Sequence, residues 1–214
     1  GKGNDMADEG IGHWERTFYT HTGIGNDTRA HYTCPNKISK GKLPCPVCEH
    51  VNKLQMDGVD DKVVNAFRPK KRQLMCFVDT RDRDKGIQIY EGPYNRGLGE
   101  EIDNKIDATD DDNPKREFFH PKHGLVLHVS IKKKPFQTES GGGTYMAVSN
   151  LEMEPRSKQY EMSIMKEAPC LDDFIKLLSY EELHEIFHQS GGGKEDDVNN
   201  AAPERNGQSK ENKE

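Results

Sequence analysis

Residues 31–50 read HYTCPNKISKGKLPCPVCEH. The stretch has no apolar periodicity, yet it holds three of the chain's five cysteines within fifteen residues, Cys34, Cys45 and Cys48. His31-x2-Cys34-x10-Cys45-x2-Cys48 offers three thiolates and one imidazole, the donor set of a closed tetrahedral zinc site, and a Cys-x2-Cys turn presents two sulfurs to one ion. Pro44 and Pro46 stiffen that turn. Four protein donors leave no open position for a catalytic water, so the spacing predicts one structural Zn2+ with His31 as fourth ligand and His50, His21 and His13 as competitors for that place. A redox pair at Cys45 and Cys48 is the alternative. Metal binding would offset the chain entropy of an insert with almost no core of its own. An odd, sparse cysteine count is a poor disulfide framework. Cys76 and Cys170, at apolar strand and helix positions, read as small buried hydrophobes.

Outward from this insert the chain reads as strands. WERTFYT (14–20) is aromatic and Thr-rich. QLMCFVD (73–79) alternates, with Leu74, Cys76 and Val78 opposite Met75 and Phe77, and GIQIYE (86–91) completes a hairpin with it. GLVLHVSIKK (124–133) and TYMAVSNLEM (144–153) are two more strands, joined through a flexible ESGGGT connector (139–144). Helices are expected at 51–66, at 97–107 (Leu98, Ile102, Ile106) and at 171–178, where Leu171, Phe174, Ile175 and Leu178 form a stripe. Ser179 and Glu182 form a capping box for a further helix carrying Leu183, Ile186 and Phe187. These elements predict a mainly β fold, a small barrel with an inserted zinc subdomain and helical additions at the C-terminus. The divisions are a flexible terminus (1–12), a barrel domain (13–160) with the zinc subdomain at about 29–66, a helical segment (161–190) and a disordered tail (191–214).

Charge is distributed unevenly over the 214 residues, whose net charge is −6. Residues 29–72 hold ten Lys and Arg against four Asp and Glu, while residues 141–214 hold eight against fifteen. Apolar residues make up only 32% of the chain and mean hydropathy is −0.97, which predicts loops, a disordered end and no membrane span. Aromatic residues interleave with the basic ones. Lys37, Lys40, Lys42, Arg68, Lys70, Lys71, Arg72, Arg81 and Lys132 are candidate phosphate contacts, with Lys133 and Lys134 beside the last. Tyr32, Phe77, Tyr90 and Tyr94 are candidate stacking platforms. A basic groove with aromatic rings is the physical recipe for single-stranded nucleic acid. No phosphate-binding GxxxxGK[ST] loop or GxSxG elbow occurs. Asp110–Asp112 read as a solvated run, and His120, His123 and His128 as ordinary surface histidines.

The order of these motifs is an aromatic first strand, the insert with CPVCE, then RPKKRQLMCFVDTRD and GIQIYEGPY, then GLVLHVSIKKK and a Gly-linked TYMAVS. Over roughly residues 13–153 it resembles the phage single-stranded-DNA-binding proteins of the T-even helix-destabilising type. The resemblance implies a five-stranded OB-fold barrel with a zinc subdomain inserted early. It implies zinc ligands at His31, Cys34, Cys45 and Cys48, and a DNA cleft between subdomain and barrel. It further implies a non-enzymatic protein that coats single strands during replication, recombination and repair in the cytoplasm of a phage-infected bacterium. Replication or recombination proteins would be recruited through the acidic C-terminal region, and neither a membrane nor a small-molecule substrate takes part. The chain departs from the family in two ways. His31 lies closer to the first cysteine than the corresponding histidine of the best-known member, and the N-terminus is acidic where the family carries a basic arm for cooperative binding. The alternatives are a zinc-containing protein-interaction module without DNA binding, and a zinc enzyme; the latter lacks the H-x-E of the deaminases, since Tyr32 and Thr33 follow His31.

Overall fold

The structure is a computed structural model describing residues 14–27, 29–106, 114–138 and 141–189. It is mixed α/β. Strand β1 (Glu15–Thr22) is central to an antiparallel sheet with β2 (His31–Thr33), β3 (Lys70–Phe77) and β4 (Gln88–Pro93), in the order β2-β1-β3-β4. Strands β5 (Leu125–Thr138) and β6 (Gly141–Pro155) form a separate two-stranded hairpin. Among the described residues no ladder joins the two sheets, so the backbone hydrogen bonds do not close the expected five-stranded barrel.

Helices α1 (Pro35–Ile38), α2 (Pro46–Met56) and α3 (Asp61–Phe67) fill the chain between β2 and β3. Pro35 and Pro46 occupy the first helical positions, where a missing N–H costs nothing. The side chain of Asp60 caps α3, accepting from the Lys62 N–H at 2.8 Å. Helix α4 (Leu98–Ile106) follows β4 and buries Leu98 and Ile102, as its periodicity predicts.

Strand alternation sends β3 into two cores. Met75 packs with Leu98, Ile102, Phe118 and Leu151, which joins the sheet to α4 and the hairpin. Leu74, facing the other way, packs with Phe18 and Leu171. The stripe expected to be a helix at 171–178 is a single 3-10 turn (Leu171–Phe174) followed by extended chain. Leu171 and Ile175 still reach the sheet, and the Arg16 Nε–Asp172 bond of 2.6 Å pins the turn to β1. The helical segment expected at 161–190 is otherwise a four-residue helix, α5 (Ile164–Glu167), and α6 (Tyr180–Gln189). The capping box is present: the Ser179 N–H donates to Glu182 at 2.8 Å, and the Glu182 N–H donates to Ser179 Oγ at 3.2 Å.

Two further expectations change. Residues 141–143 belong to β6 rather than to a connector. Cys76 is half-buried, but Cys170 is exposed and is not a core hydrophobe. The termini 1–12 and 191–214, together with His13 and Asp110–Asp112, lie outside the described residues. No described helix is long and apolar enough to cross a membrane.

Candidate metal centre and the adjoining groove

Cys34 caps α1, its sulfur accepting the Lys37 N–H at 3.4 Å. Cys45 occupies the N-cap position of α2, and Cys48 lies in the first turn. The connection 39–44 turns back through Lys40 and Gly41, both at positive φ, and brings the helix starts together. Cys34 Sγ and Cys48 Sγ are 3.5 Å apart.

The histidine gathered with the three cysteines, and so able to serve as fourth donor, is His21 and not the expected His31. His21 Nε2 lies 3.3 Å from Cys45 Sγ and 3.7 Å from Cys48 Sγ, and the ligand atoms of His21, Cys34, Cys45 and Cys48 all fall within 4.8 Å of one another. Strand parity explains the correction. His21 pairs with Tyr32, and Thr22 pairs with His31, so the two histidines point to opposite faces of the sheet. His31 lies largely exposed on the other face, where partial desolvation of its ring and the nearby Arg72 and Lys70 cations hold its pKa below the usual imidazole value. The ligand spacing is therefore His21-x12-Cys34-x10-Cys45-x2-Cys48, and the short His–Cys interval that set the chain apart is not the one used. His50 contacts the rings of Phe67 and Phe187 instead.

The geometry fits a metal. Tetrahedral bonds of about 2.3 Å to sulfur and 2.0–2.1 Å to nitrogen put sulfurs about 3.8 Å apart and sulfur from nitrogen about 3.6 Å, close to the separations found. His21 Nδ1–H donates to the Phe67 carbonyl at 2.9 Å, which fixes the ring and leaves Nε2 as the ligand atom, the usual outer-sphere arrangement. His21, Cys34 and Cys45 are buried. Hydrogen bonds from the Cys45 and Cys48 thiols hold Cys34 down at about 3, whereas bonding to Cys34 and Cys45 keeps the Cys48 proton on. A metal ion replaces such protons as it binds.

Around the site Ile24, Val47, Leu183 and Phe187 are buried against Cys34 and Cys45, so α6 from the far end of the chain closes over the knuckle. Gly25, at φ +76°, admits this contact: a Cβ there would lie 2.7 Å from Ile186 Cγ2. GIG at 23–25 is thus a seat for α6. The Tyr180 hydroxyl ties α6 to Glu49 of α2 at 2.7 Å.

Beside the knuckle lies a cleft of about 450 Å³, lined by Tyr19, Lys37, Asn52, Gln55 and Arg68 among others. Tyr19 pairs with Lys71 across β1 and β3, so both share the face that carries His21 and Tyr32. The Lys71 ammonium sits 3.3 Å above the centre of the Tyr94 ring, and the Tyr94 hydroxyl donates to Asp103. Lys37, Arg68, Lys71, Tyr19 and Tyr94 therefore lie along one side of the sheet. Tyr32 is on that side too, and both it and Tyr19 are half-buried and pack against the core beneath α6.

The other expected nucleic-acid positions are dispersed. Lys40 and Lys42 are exposed on the turn after α1. Alternation splits the RPKKR run: Lys70 and Arg72 face away from Lys71, with Lys70 Nζ 3.4 Å from Thr22 Oγ1 and Arg72 Nε 2.9 Å from Glu91. Tyr90 packs against the Met75 core. Phe77 is exposed at the far end of β3, about 20 Å from Lys71 at 3.3 Å per residue. Arg81 is exposed and doubly bonded to Asp79, whose carboxyl it holds down at about 2. Lys132 projects from the hairpin and is exposed. Tyr19 escapes a reading of the sequence, and His21 ranks there only among the competitors of His31. Tyr19 sits in an aromatic strand that looks like core, and His21 sits beyond the Thr20 limit predicted for that strand.

No family model matches the chain, and no curated protein matches it.

Proposed function

We propose that this is a zinc-stabilised protein that binds single-stranded DNA with little sequence preference, coating and protecting it in replication, recombination and repair. The observation that carries this reading is the row of Lys37, Arg68 and Lys71 with Tyr19 and Tyr94 beside the metal knuckle. Cations along such a row neutralise phosphates and release counterions. Rings stack unpaired bases for about 1–3 kcal/mol each, and at Tyr94 a base would take the ring face that Lys71 now covers. Three thiolates and an imidazole suit zinc, and with all four positions taken by protein donors the ion shapes one wall of the groove without doing chemistry. The same reading assigns the sheet and the β5–β6 hairpin to an elaborated OB-type barrel, and the setting to a phage-infected bacterial cell.

The test is an anisotropy titration of the metal-loaded protein with labelled oligo-dT at two salt concentrations. Affinity is expected to fall steeply with salt, with a slope of about −0.7 per phosphate neutralised. Salt-independent affinity, or none at low salt, contradicts the mechanism and leaves the interaction-module alternative standing.

A further inference from the structure

Strands β5 and β6 run for 14 and 15 residues, a ribbon about 45 Å long at 3.3 Å per residue. Its base is anchored: Leu125, Leu127, Leu151 and Met153 pack into the Met75 core. The register shifts between Ser130 and Ile131; just past it Ala147 is still buried and Val148 still packs on the Met75 core, and outward of that pair the described ribbon is largely exposed. Phe136 is 45% exposed on one face, and Ile131 (56%) and Met146 (58%) are exposed on the other. Apolar surface open on a sheet this long is a liability unless something covers it.

Charge and register indicate what covers the Phe136 face. Lys132 pairs with Ala147, Lys134 with Tyr145 and Phe136 with Gly143, so Lys132, Lys134, Phe136 and Tyr145 share one face. The Phe136 and Tyr145 ring centres are 6.3 Å apart. The Phe136 ring lies across Gly143, where a Cβ would come within 2.7 Å of its Cζ. Lys133 projects from the opposite face. Between Val129 and Leu151 the sequence has one carboxylate, Glu139, which lies outside the described residues; Glu152 and Glu154 belong to the anchored base.

We infer that the distal half of this hairpin is a second contact for single-stranded nucleic acid, with Phe136 and Tyr145 stacking unpaired bases while Lys132 and Lys134 hold the flanking phosphates. The inference rests on the function proposed above and lengthens its binding track. A duplex would satisfy the lysines but offer the rings no base faces; an unpaired strand satisfies both.

The test compares the metal-loaded wild type with a hairpin variant (Lys132→Ala with Lys134→Ala), a ring variant (Phe136→Leu) and a groove variant (Arg68→Ala with Lys71→Ala). Each is titrated with oligo-dT of about 8 and about 24 nucleotides, lengths chosen around the 4–16 typical of one OB-type site, and with a duplex. The hairpin and ring variants are expected to bind the long strand at least about fivefold more weakly while holding the short strand like the wild type. The salt slope of the hairpin variant should flatten by about 1.4, or two phosphates. Unchanged long-strand affinity and slope, with the groove variant impaired, overturns the hairpin contact alone. Duplex binding that depends on the hairpin lysines while strand binding does not also overturns it. Absence of oligo-dT binding by the wild type overturns both proposals.

Discussion

His21 and His31 lie on opposite faces of one sheet, and that parity decides which of them joins the three cysteines. His21→Ala is expected to abolish stoichiometric metal, and His31→Ala to leave one ion per chain; elemental analysis of the two purified variants checks this. The sulfur donors were legible because Cys-x2-Cys and a third nearby cysteine carry their chemistry in their spacing. The histidine was not, because a ligand contributed by a strand is selected by pairing register, and spacing along the chain carries no register. The same rule divides the basic run. Lys71→Ala should weaken oligo-dT binding and lower its salt slope, whereas Arg72→Ala, which breaks an ion pair with an exposed glutamate, should leave binding close to wild type. Titrations of the two variants side by side separate a groove residue from one committed to an ion pair on the opposite face.

At the scale of elements, the β3–β4 hairpin, the α4 stripe and the Ser179–Glu182 capping box were readable because each is specified by contacts within a few residues. The segment 171–178 was not. Its apolar spacing suits a helix, but Leu171 and Ile175 reach the sheet from a 3-10 turn and extended chain, and the Arg16–Asp172 bond holds them there. Tertiary contact outweighs local preference in this case. Helix α6 depends on both kinds of information. Phe187 is 2% exposed against the knuckle, and Phe187→Ala is expected to cost about 3–5 kcal/mol, read from denaturant unfolding. Bonds from the Ser179 backbone and hydroxyl hold the Glu182 carboxyl below its usual range. A depressed carboxyl contributes stability above its unfolded pKa and loses it as pH falls through the folded one. The wild type should therefore lose more α6 protection than Glu182→Gln below the ordinary glutamate range, as hydrogen exchange across 180–189 would record.

For the molecule as a whole, the chain closes on itself. The segment 171–189 crosses the sheet at Leu171 and reaches the cysteine knuckle through Leu183 and Phe187, so the site and α6 share one core. A second core, around Met75, Ile102 and Leu151, holds α4 and the hairpin and shares no buried residue with the first. Chelating the metal is expected to deprotect 45–56 and 180–189 to proteolysis while the second core survives; simultaneous loss of both would show that the ion supports the entire fold. A net charge of −6 conceals the arrangement that matters, since the cations collect beside the knuckle and on the hairpin. The most direct test of the account is a map of amide chemical-shift changes when oligo-dT is added to the isotope-labelled, metal-loaded protein. Changes concentrated at Tyr19, Lys37, Arg68, Lys71 and Tyr94 are predicted. A map with no changes, or with changes confined to the opposite sheet face around Lys70, Arg72 and His31, would contradict it.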